Sequence, residues 1–365
     1  MSHRNAFAKL NLFSAQALNA EFAQRVNRLV VVAAIVLTGV ASCTNSKPST
    51  NKVILTLAAY TAPREAYGTG IIPAFQQYWK DKTGQDVEVR ESYQGSGAQA
   101  RAIISGFEAD VAALSMETDI DKIAAAGLIT HNWRARPSGG MVSNSIVVIA
   151  VREGNPKQIH DWADLTRPGL NILTPDPQTS GGAQWNINAI YGAALRGCAG
   201  VARDDPNAAT QFLRDVFRNV SVMDKGARES ITNFEKGVGD VAITYESEVL
   251  VGRQEGQRYD YIVPRSTILI ENPVAVVDAY ADKHGVRQIA DAFVNFLWNE
   301  EAQRAFAHYG FRSLDQRLAE KLKSSYPSVQ DLWTIEFLGG WNEVTKDIYG
   351  PQGVYTRMFA ELHQK

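Results

Sequence analysis

The chain has 365 residues, 45% of them hydrophobic and 21% charged, with a formal charge of −2. That is enough apolar material to bury a large core, and the length points to two lobes. The near-neutral charge and the lack of any Lys/Arg stripe exclude a nucleic-acid-binding class.

The first 42 residues differ from the rest. Arg25 and Arg28 precede an apolar run, Leu29 to Leu37, that continues through Thr-Gly-Val-Ala-Ser to Cys43. The run is shorter than the about 20 apolar residues that span a bilayer. Its basic, apolar and small-residue order is that of a secretory signal. Val40-Ala41-Ser42-Cys43 resembles a bacterial lipobox, in which Cys43 is acylated and becomes the mature N-terminus. A cleaved signal without lipid is the alternative. Residues 1–42 hold four Lys/Arg and one Glu, so the remainder carries a formal charge of −5. An acidic body of this kind can hold an anion only with local dipoles, not with a positive field.

Thr44 to Asn51 is polar and contains Pro48. It is expected to be a flexible tether. The fold is predicted to start at Val53-Ile-Leu-Thr-Leu-Ala-Ala59, a run of the length of a buried strand. Ile71 to Thr83 follows as a helix with Ile71, Phe75, Tyr78 and Trp79 at helical spacing. Asp86 to Ser92 alternates like a strand and leads into Gln94-Gly-Ser-Gly97, after which Ala98 to Phe107 is again helical. Ala109 to Ser115 is a further strand. This alternation predicts α/β lobes with largely parallel sheets.

Ser145 to Arg152 is a strong apolar strand and the expected first crossing between lobes. Ile268 to Asp278 is a second passage, returning the chain to the first lobe. From Val286 onward the pattern is helical. These passages give the expected division: a signal over 1–42, a tether over 43–51, one lobe from 52–142 with 265–365, and a second lobe from 143–264. Lobes joined in this way close about a ligand by hinge motion. Cys198 is the sole cysteine after Cys43, which leaves no internal disulfide, and it is expected to be a small buried residue at a helix end.

Three loop-to-helix junctions share one composition. They are Gln94-Gly95-Ser96-Gly97, Thr179-Ser180-Gly181-Gly182, and Lys225-Gly226-Ala227-Arg228. Each puts small residues where the unpaired first amides of a helix can meet an anion. One exposed helix N-terminus stabilises an anion by about 0.3–1 kcal/mol, and by up to ~2 kcal/mol when partly buried. Three that converge, with charge-assisted hydrogen bonds of roughly 1.5–3 kcal/mol each, can offset the desolvation of a dianion. No buried Lys or Arg is then required.

These segments, with Ala59-Tyr-Thr-Ala-Pro-Arg-Glu-Ala-Tyr67, Gly154 to Leu165, Pro177 to Asn186 and Phe337-Leu-Gly-Gly-Trp341, carry a resemblance. Over about residues 52–345 the chain resembles the periplasmic sulfate-binding proteins of sulfate/thiosulfate ABC transporters. The resemblance implies a two-lobed periplasmic-binding-protein fold of type II with the ligand in the interlobe cleft. It implies an extracytoplasmic monomer that delivers sulfate, or thiosulfate as close second, to an ABC permease, without a cofactor. Carried over by position, the sulfate donors fall on the backbone amides of Thr61, Ser96, Gly181, Gly182 and Ala227, the Ser180 hydroxyl, and Tyr245. Two positions depart from the pattern. Thr61 stands where the family usually has Asp, and Tyr245 where it usually has Trp. A phenol donates one hydrogen bond as indole does, but it also accepts one. That opens the site to protonated anions.

Selectivity follows from proton content. Sulfate near neutral pH has no proton, so donors alone satisfy it. Hydrogen phosphate brings its own donor, which left unpaired costs about 1–3 kcal/mol. This holds if Asp224 and Glu246 point away from the ligand. Arg64 and Arg228 are either supports for the binding loops or surface charges. Trp185 is expected in the helix core, and Trp162 packs a helix start. A receptor for phosphate or molybdate, or a ligand-dependent sensor, would use the same geometry. An enzyme is not expected: neither Ser96 nor Ser180 lies in Gly-x-Ser-x-Gly or Ser-x-x-Lys, and the six histidines show no metal spacing.

Overall fold

Residues 52–363 are described by the structure, a computed structural model. The signal segment 1–42, Cys43 and the tether 43–51 lie outside the described residues.

Strand β1 (Val53–Tyr60) buries its second half completely, as an apolar run covered on both faces does. The turn after it leads into α1 (Ile72–Thr83), which buries Ile72, Phe75 and Trp79 on one face and ends on Gly84 at φ 71°. β2 (Val87–Gln94), α2 (Ser96–Ile104), β3 (Val111–Ala113) and α3 (Glu117–Ala125) continue the alternation. β2 and β3 both pair with β1 in parallel.

A long strand, β4 (Met141–Arg152), then carries the chain into a second group of strands. That group contains β5 (Ile172–Pro175), α4 (Gly181–Leu195), α5 (Pro206–Phe217), β6 (Val220–Asp224) and α6 (Ala227–Glu235). β7 (Val241–Tyr245), α7 (Glu246–Gln254) and β8 (Tyr259–Ile262) complete it. β5 pairs in parallel with β6 and β7. The return strand is β9 (Ser266–Val276).

Strand order is β2-β1-β3-β9-β4-β7-β5-β6, with β8 beside β4. The sheet is less parallel than strand–helix alternation alone predicts. β4 leaves the first group and β9 comes back to it, so they run in opposite senses and pair antiparallel, with Ser145 opposite Ile270. For the same reason β4 is antiparallel to β7 and β9 to β3.

The remaining helices divide between the two groups. They are α8 (Asp278–Lys283), α9 (Arg287–Phe296), α10 (Glu300–His308) and α11 (Gln316–Leu322). α9 and α10 pack on the first group through Phe293, Phe296 and Phe306, which surround Tyr67 and Phe75. β10 (Asp331–Trp333), α12 (Gly340–Asp347) and α13 (Val354–His363) turn the other way. Trp341 meets Trp185 edge-on at 4.7 Å, Tyr355 meets Phe217, and the Tyr349 hydroxyl donates to the carbonyl of Gln184. Residues 331–363 thus reach α4 and α5, while α12 also packs on α3 of the first group and β10 pairs with β9. Among the described residues, no helix is long and apolar enough to cross a membrane.

Candidate ligand-binding site

The three glycine-bearing junctions begin helices α2, α4 and α6, with Gly95, Ser180 and Gly226 at the N-cap positions. At none of the three does the N-cap side chain bond to the helix amides. Three other helices are capped by a side chain, α5 by Asp205, α10 by Asn299 and α11 by Asp315. Side-chain caps are also missing from α1, α3, α7, α8, α9 and α12, so what sets these three ends apart is their small residues and the way they meet.

The junctions meet one another. The amide of Ala98 donates to the carbonyl of Thr179 at 3.2 Å, and the Thr179 hydroxyl donates to the carbonyl of Lys225 at 2.9 Å. A Cβ on Gly95 would stand 2.5 Å from the Thr179 carbonyl oxygen and 2.6 Å from that of Lys225. A Cβ on Gly226 would stand 3.1 Å from Thr61 Oγ1. One on Gly182 would lie 2.8 Å from the Tyr245 ring, 3.3 Å from Ser180 Oγ and 3.4 Å from the Ala227 methyl. None of these glycines has a positive φ. They are glycine because the junctions pack too closely for a side chain. Thr61, Ser96, Ser180, Gly181, Gly182, Ala227 and Tyr245 thus form one buried cluster.

Ser115 lies behind the cluster, against Ser96, Gly181 and Tyr245. This buried residue follows β3, and a Cβ on Gly181 would come within 2.6 Å of its Oγ. Its amide donates to Ser96 Oγ at 3.0 Å, while Ser96 donates to Asp119 at 2.6 Å. The Ser115 and Tyr245 hydroxyls are 2.7 Å apart. Burial pushes the Tyr245 phenol well above its ordinary pKa despite that bond, with Glu248 and Asp119 adding to the shift. It is a neutral phenol near pH 7. Sequence reasoning missed Ser115. Its signal was its place at the C-terminal edge of a parallel strand, where ligands of open α/β sheets bind.

Of the two arginines, the structure brings one to the cluster. Arg228 pairs with Glu65 at 2.6 Å and lies 3.0 Å from the buried carboxylate of Glu248, and its amide is 3.5 Å from Thr61 Oγ1. Burial opposes its charge, but Glu248 and Glu65 outweigh burial and hold the guanidinium above its ordinary pKa. Arg64 is a surface residue stacked on the Tyr93 ring at 5.0 Å.

Of the nearby carboxylates, Glu246 has both oxygens engaged, whereas Asp224 has one oxygen buried without a partner among the described residues. Glu246 is held by Arg312 at 2.7 Å and 3.0 Å, and Asp224 accepts from Asn233. Glu248, which sequence reasoning also missed, is fully buried with neither oxygen hydrogen-bonded among the described residues. Its contact with Arg228 is an ion pair without hydrogen-bond alignment. Burial raises its pKa to about 7 against the pull of Arg228, and Glu65, Glu235 and Glu229 push the same way.

Trp185 and Trp162 are core residues. The first donates to the carbonyl of Ser115 at 3.0 Å, the second to that of Ser266 at 2.8 Å. Cys198 is half-buried beyond the end of α4 rather than fully enclosed. A cavity of about 570 Å³ lined by Arg90, Glu108, Asp110 and His284 opens at the other end of β1 from Thr61, and shares no residue with the cluster. No group of three His, Cys, Asp or Glu suited to a metal ion occurs among the described residues.

Known proteins with this sequence pattern point the same way. Residues 55–312 match the family described as bacterial extracellular solute-binding protein. The sulfate-binding protein of Synechococcus elongatus is 43% identical over 86% of this chain and 89% of its own length. The thiosulfate-binding protein of Escherichia coli is 34% identical over 92% of this chain and 96% of its own. Among solved structures, the sulfate-binding protein SubI of Mycobacterium tuberculosis matches with a TM-score of 0.73 and 36% identity, over 80% of this chain and 98% of that one.

Proposed function

The chain belongs to the bacterial extracellular solute-binding proteins, and from that premise we propose that it captures sulfate, with thiosulfate a close second, and hands it to an ABC permease. The convergence of three uncapped helix N-termini on one buried cluster carries this reading. In it, the amides of Thr61, Ser96, Gly181, Gly182 and Ala227 and the hydroxyls of Ser180 and Tyr245 donate to the anion. The ligand's charge is met by helix ends, and Arg228 works through the loops rather than on the ligand.

The lobes in this reading are built on residues 52–142 and 143–264, with the chain returning after 265. Closure is driven by contacts that exist only when both lobes reach the anion. The receptor is a monomer tethered outside the cytoplasm through a lipid on Cys43. It performs no covalent chemistry, since each proposed group only donates hydrogen bonds. Calorimetric titration of residues 44–365, stripped of bound anion by unfolding and refolding, tests the reading. Sulfate binds and saturates one site; a chain that binds no tetrahedral oxyanion is not this receptor.

A further inference from the structure

Ser115 has every backbone polar group engaged. Its amide donates to Ser96, and its carbonyl accepts from Trp185 at 3.0 Å and from Asn272 at 3.1 Å. Its hydroxyl has one partner among the described residues, the Tyr245 hydroxyl at 2.7 Å. Both side chains are buried, and Tyr245 in turn has no other polar partner there. Two hydroxyls so placed can share a proton in either direction, and only one direction leaves the phenol hydrogen for a ligand. If Tyr245 donates to Ser115, the phenol hydrogen is spent inside the protein and cannot reach the ligand that the receptor reading gives it. If Ser115 donates to Tyr245, the serine hydrogen is used and the phenol hydrogen is free to meet a ligand. The phenol oxygen's accepting position is then filled from within the protein.

Resting on the receptor reading above, we infer that Ser115 is a specificity-determining residue that makes Tyr245 a donor only. The phenol then behaves as an indole would toward the ligand. The site accepts a tetrahedral oxyanion without a proton and rejects one whose own hydroxyl needs an acceptor. The accepting capacity of a tyrosine at this position is then taken up within the chain, at a residue that never needs to touch the anion.

The test is calorimetric titration of the purified protein and its Ser115→Ala variant with sulfate and with inorganic phosphate near pH 7.5. The parent prefers sulfate by about a hundredfold or more. Ser115→Ala keeps sulfate affinity within about threefold and tightens phosphate, so the preference falls by about tenfold or more. In a Tyr245→Trp background, which has no accepting oxygen, Ser115→Ala leaves the preference unchanged. If Ser115→Ala does not fold, Ser115→Cys, with its weak S–H donor, takes its place with the same expectation. Retained sulfate binding with an unaltered preference in the single variant overturns the inference while leaving the receptor reading standing. A parent protein that binds neither anion overturns the receptor reading itself.

Discussion

Arg228 and Glu65 form a 2.6 Å ion pair that ties the start of α6 to the turn after β1. The same guanidinium lies 3.0 Å from Glu248, so one arginine compensates two carboxylates of very different exposure. Removing it strands a buried charge, which in such pairs costs about 3–5 kcal/mol. Arg228→Gln is therefore expected to destabilise the chain by up to that amount at pH 8, where Glu248 is ionised, read by urea unfolding. Near pH 5, where Glu248 holds a proton, the cost is less. In a Glu248→Gln background the same change should cost markedly less, because no buried carboxylate is left alone. Equal costs in both backgrounds would show that Glu248 does not depend on Arg228.

Glu248 also sets a pH dependence. Its pKa is about 7 in the folded chain against an ordinary value of 4.5, so between these values the folded state holds a proton that the unfolded state has lost. Its contribution to stability is fully present below about 4.5 and is lost as pH rises through about 7. Glu248→Gln should remove that decline, and melting temperatures taken from pH 4.5 to 8 will show whether the two curves diverge as pH rises. His284, whose pKa is raised by hydrogen bonds to Asp110 and Glu108, declines in the same direction in both proteins. The difference between the curves isolates Glu248.

Ser180 leaves its own helix uncapped, and in this account its hydroxyl serves the ligand instead. Ser180→Ala is expected to weaken sulfate by about 1–3 kcal/mol with an unchanged melting temperature of the unliganded chain. A variant with wild-type affinity would remove Ser180 from the donor set.

Gly182 separates Tyr245 from Ser180, with room for no side chain. Gly182→Ala must displace the Tyr245 ring, which a Cβ would approach to 2.8 Å. The expected result is a larger loss of affinity than Ser180→Ala produces. Tyr245→Phe, which keeps the ring and deletes the donor, should lose about 1–3 kcal/mol. Unaffected binding in Tyr245→Phe would mean that the phenol is not a ligand donor.

The sequence carried the local parts of this structure well. Val53–Tyr60, Ser145–Arg152 and Ile268–Val276 are strands because apolar runs of that length have few other ways to be buried. The glycine junctions were legible because each is a short contiguous motif that opens a helix. Ser115 and Glu248 were not, since each reaches the cluster through tertiary pairing that no local spacing encodes. The antiparallel run of β4 beside β9 and the return of residues 331–363 onto α4 have the same origin. They follow from where the chain must go, not from what any one segment prefers.

We propose that this cluster binds a fully deprotonated tetrahedral oxyanion with donors alone. Calorimetric titration of the anion-free chain with sulfate and then phosphate tests it most directly. Saturable one-site binding of sulfate is expected, with phosphate about a hundredfold weaker or worse. A preference for phosphate would mean that Tyr245 or a nearby carboxylate accepts the ligand's proton, and would contradict it.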